Sequence, residues 1–401
     1  EAPEVHRRVG RVGGAPVTKN FPQDLPSGLA QGPRGPRGPQ GPVFAQRNPT
    51  DPGRLGRRSV VTLVLSFVVI ALAALSVMVG LPYVVLEPGP VANTLGKLSG
   101  HELITVAGAQ TYPAKGTLDF TTVRLIGGPG VRVTVWDLLS AKLNPSDAIA
   151  PEDLYFPTGV TDQQVQQVNT AEMVDSQQEA IAVALRATGR TVIPHLIITE
   201  VAPDAPSASV LKAGDEVKSI DGTPMTSSAQ IRTVIGAHKP GDFVQLRLVR
   251  NGAEVVVAAR THLSAGRTTI GVFLGLKFTF PIDVKINAGD IGGPSAGTMF
   301  ALGVYDKLTP GDLTGGQNIA GTGTIDDTGA VGPIGGIRQK LAGAHDGGAR
   351  WFLAPASNCD EVAGHVPDGL RVVRIATFDE ARKAVEAIAA NQAASLPTCT
   401  K

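Results

Sequence analysis

Cysteine is nearly absent from this 401-residue chain, which holds two, Cys359 and Cys399. Two thiols leave two readings open: one disulfide pinning the C-terminal tail, or two free thiols. No cysteine–histidine cluster has zinc spacing, since His345, Cys359 and His365 are scattered, and the seven histidines show no pairing that suggests a metal. The expectation is no metal and no cofactor. Net charge is missing as well: 36 Lys and Arg against 35 Asp and Glu leave +1, with no global pull towards nucleic acid. A nucleotide-binding loop is also lacking. The nearest string to Gly-x-x-x-x-Gly-Lys-Ser/Thr, Leu95-Gly96-Lys97-Leu98, has neither the leading glycine nor the hydroxyl residue. No ATPase motor is expected.

Charge vanishes altogether from Ser59 to Leu86, and Ser59 to Leu81 is almost wholly apolar. About 20 such residues cross a bilayer core as a helix. A cleaved signal peptide has a short basic leader and a shorter apolar region, whereas 58 residues precede this one. The alternative is a buried helix of a globular domain. Residues 1–58 carry ten Lys or Arg against four Asp or Glu, and Arg47, Arg54, Arg57 and Arg58 crowd the near flank. Glu87 is the first charge on the far side. By the positive-inside rule the tail is cytoplasmic, and everything after Leu86 lies outside the cell membrane. The tail includes three Gly-Pro triplets between Gly32 and Pro42, too few for a collagen helix. With few large apolar residues to bury, it is expected to be disordered.

The chemistry-bearing residues come late. Gly292-Gly-Pro-Ser-Ala-Gly297 sets Ser295 on a glycine-rich turn, and Pro333-Ile-Gly-Gly-Ile-Arg-Gln-Lys340 follows. A serine hydroxyl is a poor nucleophile until a base lies within hydrogen-bond reach. Lysine is such a base only when burial lowers its pKa from about 10.4 towards neutrality. Read alone, the pentapeptide also fits a plain turn with Ser295 as a helix N-cap. It fits a hydrolase elbow too, with His345 or His365 and Asp326 or Asp327 completing a triad. That fold, however, needs a long parallel sheet, and about 105 residues follow Ser295.

Taken together, the two motifs resemble the Ser-Lys proteolytic domain of the Lon family. The nucleophile turn is Gly293 to Gly297. Thr322-Gly323 matches the strand start whose hydroxyl bonds the lysine, and Pro333 to Gly336 matches the turn before the lysine helix. The resemblance implies Ser295 as nucleophile, Lys340 as general base and Thr322 in support. The oxyanion hole would come from the Ser295 N–H and one N–H of Asp290, Ile291, Gly292 or Gly293. Ser295 and Lys340 stand 45 residues apart, slightly more than in Lon, with the surplus around Pro310 to Gln317. Lon enzymes usually carry a Lys-Asp pair before the first glycine, where this chain has Asp290-Ile291. Lon-type domains assemble into six-membered rings, so the resemblance implies a homo-oligomer (hexamer); the alternative is a monomer held at the membrane.

Between membrane and serine lie two further regions. Leu103 to Val106, Leu118 to Leu125 and Val131 to Leu138 are rich in β-branched residues between glycine turns and read as strands. Asn169 to Arg186 reads as a helix. Next, Leu196 to Val201 reads as a strand, and Leu211-Lys-Ala-Gly-Asp-Glu-Val-Lys-Ser-Ile-Asp-Gly-Thr-Pro224 as strand, turn and strand. Ser227 to His238 reads as a helix, and Asn251-Gly252 as the turn of a hairpin. This run resembles a PDZ domain of the bacterial protease-associated kind, which binds an extended peptide at a sheet edge beside a helix. No Gly-Leu-Gly-Phe carboxylate loop is visible, and Thr188 to Pro194 is the candidate counterpart.

The order of anchor, PDZ domain and Lon-type domain resembles the YlbL-like membrane-anchored Lon-like (S16) proteases of Gram-positive bacteria. The expected fold class is α+β. It comprises a disordered tail (1–58), a transmembrane helix (59–81) and a strand-rich membrane-proximal module (82–188). A PDZ domain, a small β-sandwich or barrel with helices (189–263), precedes a Lon-type α/β domain (266–390) and a tail (391–401). The expected function is ATP-independent serine endopeptidase action on extracytoplasmic secreted or membrane proteins, with the PDZ groove binding or gating substrate peptides. A catalytically inactive membrane-anchored PDZ adaptor is the alternative.

Overall fold

The computed structural model describes residues 56–399; the expected basic tail lies outside them up to residue 55. The first helix, α1 (Arg57–Met78), is 22 residues long and apolar enough to cross a membrane, and none of its residues is buried.

A six-stranded mixed sheet organises the region expected to be Lon-type. Its order is Arg371–Ile375, Trp351–Pro355, Asn318–Gly321, Thr117–Ile126, Tyr83–Asn93, Ala148–Pro151. The first four run parallel and the last three antiparallel, with Thr117–Ile126 common to both halves. Successive side chains in a strand point to opposite faces, and the core divides accordingly. Leu118, Phe120, Ile319, Leu353 and Val373 pack into one cluster, under α3 (Asp162–Ala187), α5 (Gly297–Leu308) and α8 (Phe378–Ala389). Ala320, Phe352, Ala354 and Val372 pack into another, with α6 (Ile337–Asp346) and α7 (Cys359–Val362).

This topology corrects the expected organisation of residues 82–188. They form no separate module. Thr117–Phe120 pair with Asn318–Gly321, Ile104–Ala107 pair with Asp283–Ile286, and α3 shares its core with α5. The segment expected to be PDZ-like is therefore inserted into the fold built on the six-stranded sheet, after α3 and before Asp283–Ile286. A second correction concerns Val131 to Leu138, which is no strand. Thr134 and Asp137 form a reciprocal capping box that starts α2 (Val135–Leu143), so local hydrogen bonding overrides β-branched composition.

The PDZ sheet has the order Ala253–Arg260, Phe243–Arg250, Glu216–Ile220, Ile193–Val201, Val272–Thr279. It encloses its own core, including Leu196, Val217, Leu246 and Ile235 of α4 (Ser228–Gly236). Asn251-Gly252 closes the expected hairpin, both residues at positive φ. Asp215, from the Lys-Ala-Gly-Asp run, is buried. It accepts from the Lys212 N–H and from Arg250 Nε and Nη2 at 2.6–2.9 Å. Burial alone would raise its carboxyl pKa, but these bonds hold it below the usual value.

Cys359 and Cys399 form a disulfide that returns the C-terminal tail to α7. Of the two readings open in the sequence, the bonded one holds.

Candidate active site

Ser295 and Lys340 come from opposite faces of the sheet. They meet beyond the carboxyl end of the strand Asn318–Gly321, where parallel sheets commonly place their sites. Ser295 closes the turn before α5, whose first residue, Gly297, permits close packing: a Cβ there would lie 2.7 Å from Ser176 Oγ of α3. Lys340 sits on the stripe Ile337, Lys340, Leu341, Ala344, the buried face of α6. Helical period thus carries an amine into the core. Gly336, at φ +66, aims that helix, and a Cβ on it would strike Val123 at 2.7 Å.

Lys340 is 2% exposed. Its Nζ lies 2.7 Å from Ser295 Oγ and 2.9 Å from Thr322 Oγ1. No carboxylate lies within ion-pair distance of it among the described residues. Burial without a counter-charge pushes the amine down to about 7. Thr322, fully buried, accepts from the lysine and donates its own hydroxyl to Ser295 O at 2.9 Å; Gly323 N–H donates to the same carbonyl at 2.8 Å. One hydroxyl therefore holds both partners in place.

The loop Asp290–Gly293 lines the cleft of about 450 Å³ beside Ser295, with Phe120, Met173 and Arg124. Not all its N–H groups are available. Gly293 donates to Asn169 O of α3 at 2.9 Å and Ile291 to Ala288 O at 3.3 Å. The N–H groups of Gly292 and Ser295 have no protein partner among the described residues. The positive end of α5 lies at the same place.

His345 and His365 are exposed and neither bonds Ser295, so the triad reading has no geometry behind it. A second groove, of about 790 Å³, lies in the PDZ fold between α4 and the free edge of Val272–Thr279, the outermost strand. Thr268, Thr269 and Ile270 form its head. The expected loop Thr188 to Pro194 is elsewhere: Ile193 pairs with Thr279, at the far end of that edge strand. The missed signal was Ile270-Gly271-Val272, a glycine between two apolar residues directly before the strand, with Gly271 at φ +69.

Two stretches of the chain are similar to known families. Residues 165–261 match the PDZ domain family, and residues 253–388 match the Lon protease (S16) C-terminal proteolytic domain. The Lon protease of Azospirillum brasilense is 29% identical over 178 residues, covering 43% of this chain and 20% of that protein. Lon protease 2 of Herpetosiphon aurantiacus is 34% identical over 134 residues, 32% of this chain and 16% of that protein. The chain thus spans a fifth or less of these relatives' length. Among solved structures, the PDZ domain of an SdrC-like protein from Listeria monocytogenes is 28% identical. It covers 20% of this chain and 85% of its own, with a TM-score of 0.19. By class, then, the chain carries one region similar to the PDZ domain family and another similar to the Lon protease (S16) C-terminal proteolytic domain. More particularly, this combination is consistent with the PDZ/Lon-like proteases.

Proposed function

We propose that the chain is a membrane-anchored serine endopeptidase that works without ATP through a Ser295–Lys340 dyad. The observation that carries this reading is the buried lysine, neutral near pH 7, with its amine 2.7 Å from a serine hydroxyl. Neutral Lys340 takes the Ser295 proton as Oγ attacks the peptide carbonyl. The resulting ammonium keeps Thr322 Oγ1 as a partner. The N–H groups of Ser295 and Gly292 receive the oxyanion, and the α5 dipole adds to them. Lys340 then returns the proton to the leaving amine, and water repeats the sequence on the acyl-enzyme. The PDZ groove, with its free strand edge, takes an extended segment of the substrate. With no P-loop in its sequence, the chain acts on segments that are already flexible. α1 holds it in the cell membrane with the dyad outside, acting on secreted or membrane proteins.

Peptidase assay of the full chain in detergent or lipid, with and without ATP, tests the reading. Hydrolysis independent of ATP and reduced at least roughly 10⁴-fold by Ser295→Ala is the expected result. An undiminished rate in that variant overturns the dyad, and a chain that binds peptides without cleaving them is the PDZ adaptor instead.

A further inference from the structure

α2 is apolar on two opposite faces. Leu138 and Ala141 pack inward against Val85 and Val133. Val135, Trp136, Leu139 and Leu143 fall within an arc of about 100° on the other side, and they are 47%, 52%, 48% and 77% exposed. The polar residues Asp137 and Lys142 lie outside that arc. A surface helix normally turns a polar face outward, so this stripe is unexplained by the fold itself.

Its position says what covers it. The indole N–H of Trp136 donates to Ser76 Oγ, in the last turn of α1, at 2.9 Å. The chain leaving α1 is fastened to the start of α2: the Leu81 N–H donates to Val133 O at 2.8 Å, and Gly80 lies against the Arg132 side chain. The apolar stripe is therefore continuous with the end of the apolar helix. Tryptophan is the residue enriched at that level of a bilayer, where one edge is apolar and the other wet. Lys142, with its long aliphatic stem, suits the same boundary.

We propose that α2 is an interfacial helix, lying in the headgroup boundary of the membrane that α1 crosses, with Val135, Trp136, Leu139 and Leu143 inserted among the lipids. This rests on α1 spanning a bilayer. It adds that the proteolytic sheet, through Tyr83–Asn93 beneath α2, is docked on the membrane surface instead of swinging from a tether.

The full chain reconstituted in phosphatidylcholine vesicles provides the test. In the Trp351→Phe variant, Trp136 is the sole tryptophan. Its emission should be quenched by lipids brominated high in the acyl chain and protected from aqueous iodide; Leu139→Glu/Leu143→Glu should reverse both. A companion variant, Trp136→Phe/Trp351→Phe/Phe67→Trp, reports on α1 alone. Quenching at position 67 without quenching at Trp136 overturns the docking while leaving the anchor in place. Absence of quenching at both overturns the anchor and the docking with it. Iodide protection of Trp136 without bromolipid quenching, accompanied by cross-links between copies, assigns the stripe to a second copy of the chain and equally overturns the proposal.

Discussion

At the scale of single residues, the site turns on the burial of one amine. An unfolded lysine holds its proton to about 10.5, whereas Lys340 releases it at about 7. Between those values the unfolded chain binds more protons, so stability rises with pH across that window. Below 7 both states are protonated and the burden is greatest. At about 1.4 kcal/mol per pH unit this comes to roughly 5 kcal/mol. Lys340→Met should therefore raise the melting temperature, more at pH 6 than at pH 9, while abolishing hydrolysis. Calorimetry at the two pH values checks this; a destabilised variant at pH 6 would show that the bonds to Ser295 and Thr322 outweigh the burial. Buried groups of this kind trade stability for chemistry.

At the scale of elements, α3 links the two folds. Its middle turns brace the nucleophile turn, through Asn169 O on the Gly293 N–H and Ser176 Oγ on Pro294 O at 3.0 Å. Arg186, near its other end, stacks over Phe278 of the strand that edges the PDZ groove. Ser176→Leu would overfill the contact with Gly297, a change that typically costs 1–3 kcal/mol, roughly 5- to 150-fold if it falls on the transition state. The expected result is a lower kcat with KM nearly unchanged and secondary structure retained by circular dichroism; an unaltered kcat would sever α3 from the site. None of this was legible in sequence, although Ser295, Thr322 and Lys340 were. Those three lie in short glycine-marked motifs whose chemistry is local. The pairing of Thr117–Phe120 with Asn318–Gly321 joins strands some 200 residues apart, and no local pattern records it. The Asn251-Gly252 hairpin was readable because its turn demands those residues. α2 was misread because its start lies in one capping box amid β-branched neighbours.

For the molecule as a whole, the insertion places the peptide groove and the serine on one framework, sharing α3 and the strand leading out of Val272–Thr279. The proposed topology puts both outside the cell. Protease added to intact protoplasts should digest the region after Tyr83 and spare the arginine-rich tail, as followed by antibodies to either end. The reverse pattern would place the dyad in the cytoplasm and change the substrate class.

The most direct test of the dyad is the rate at which a serine-directed covalent probe modifies the full chain as a function of pH, with the adduct mapped by mass spectrometry. Labelling should fall on Ser295, rise tenfold per pH unit below about 7 and level off above it. It should disappear in Lys340→Met. A pH-independent rate, or labelling that survives the loss of Lys340, would contradict the assignment of lysine as the base.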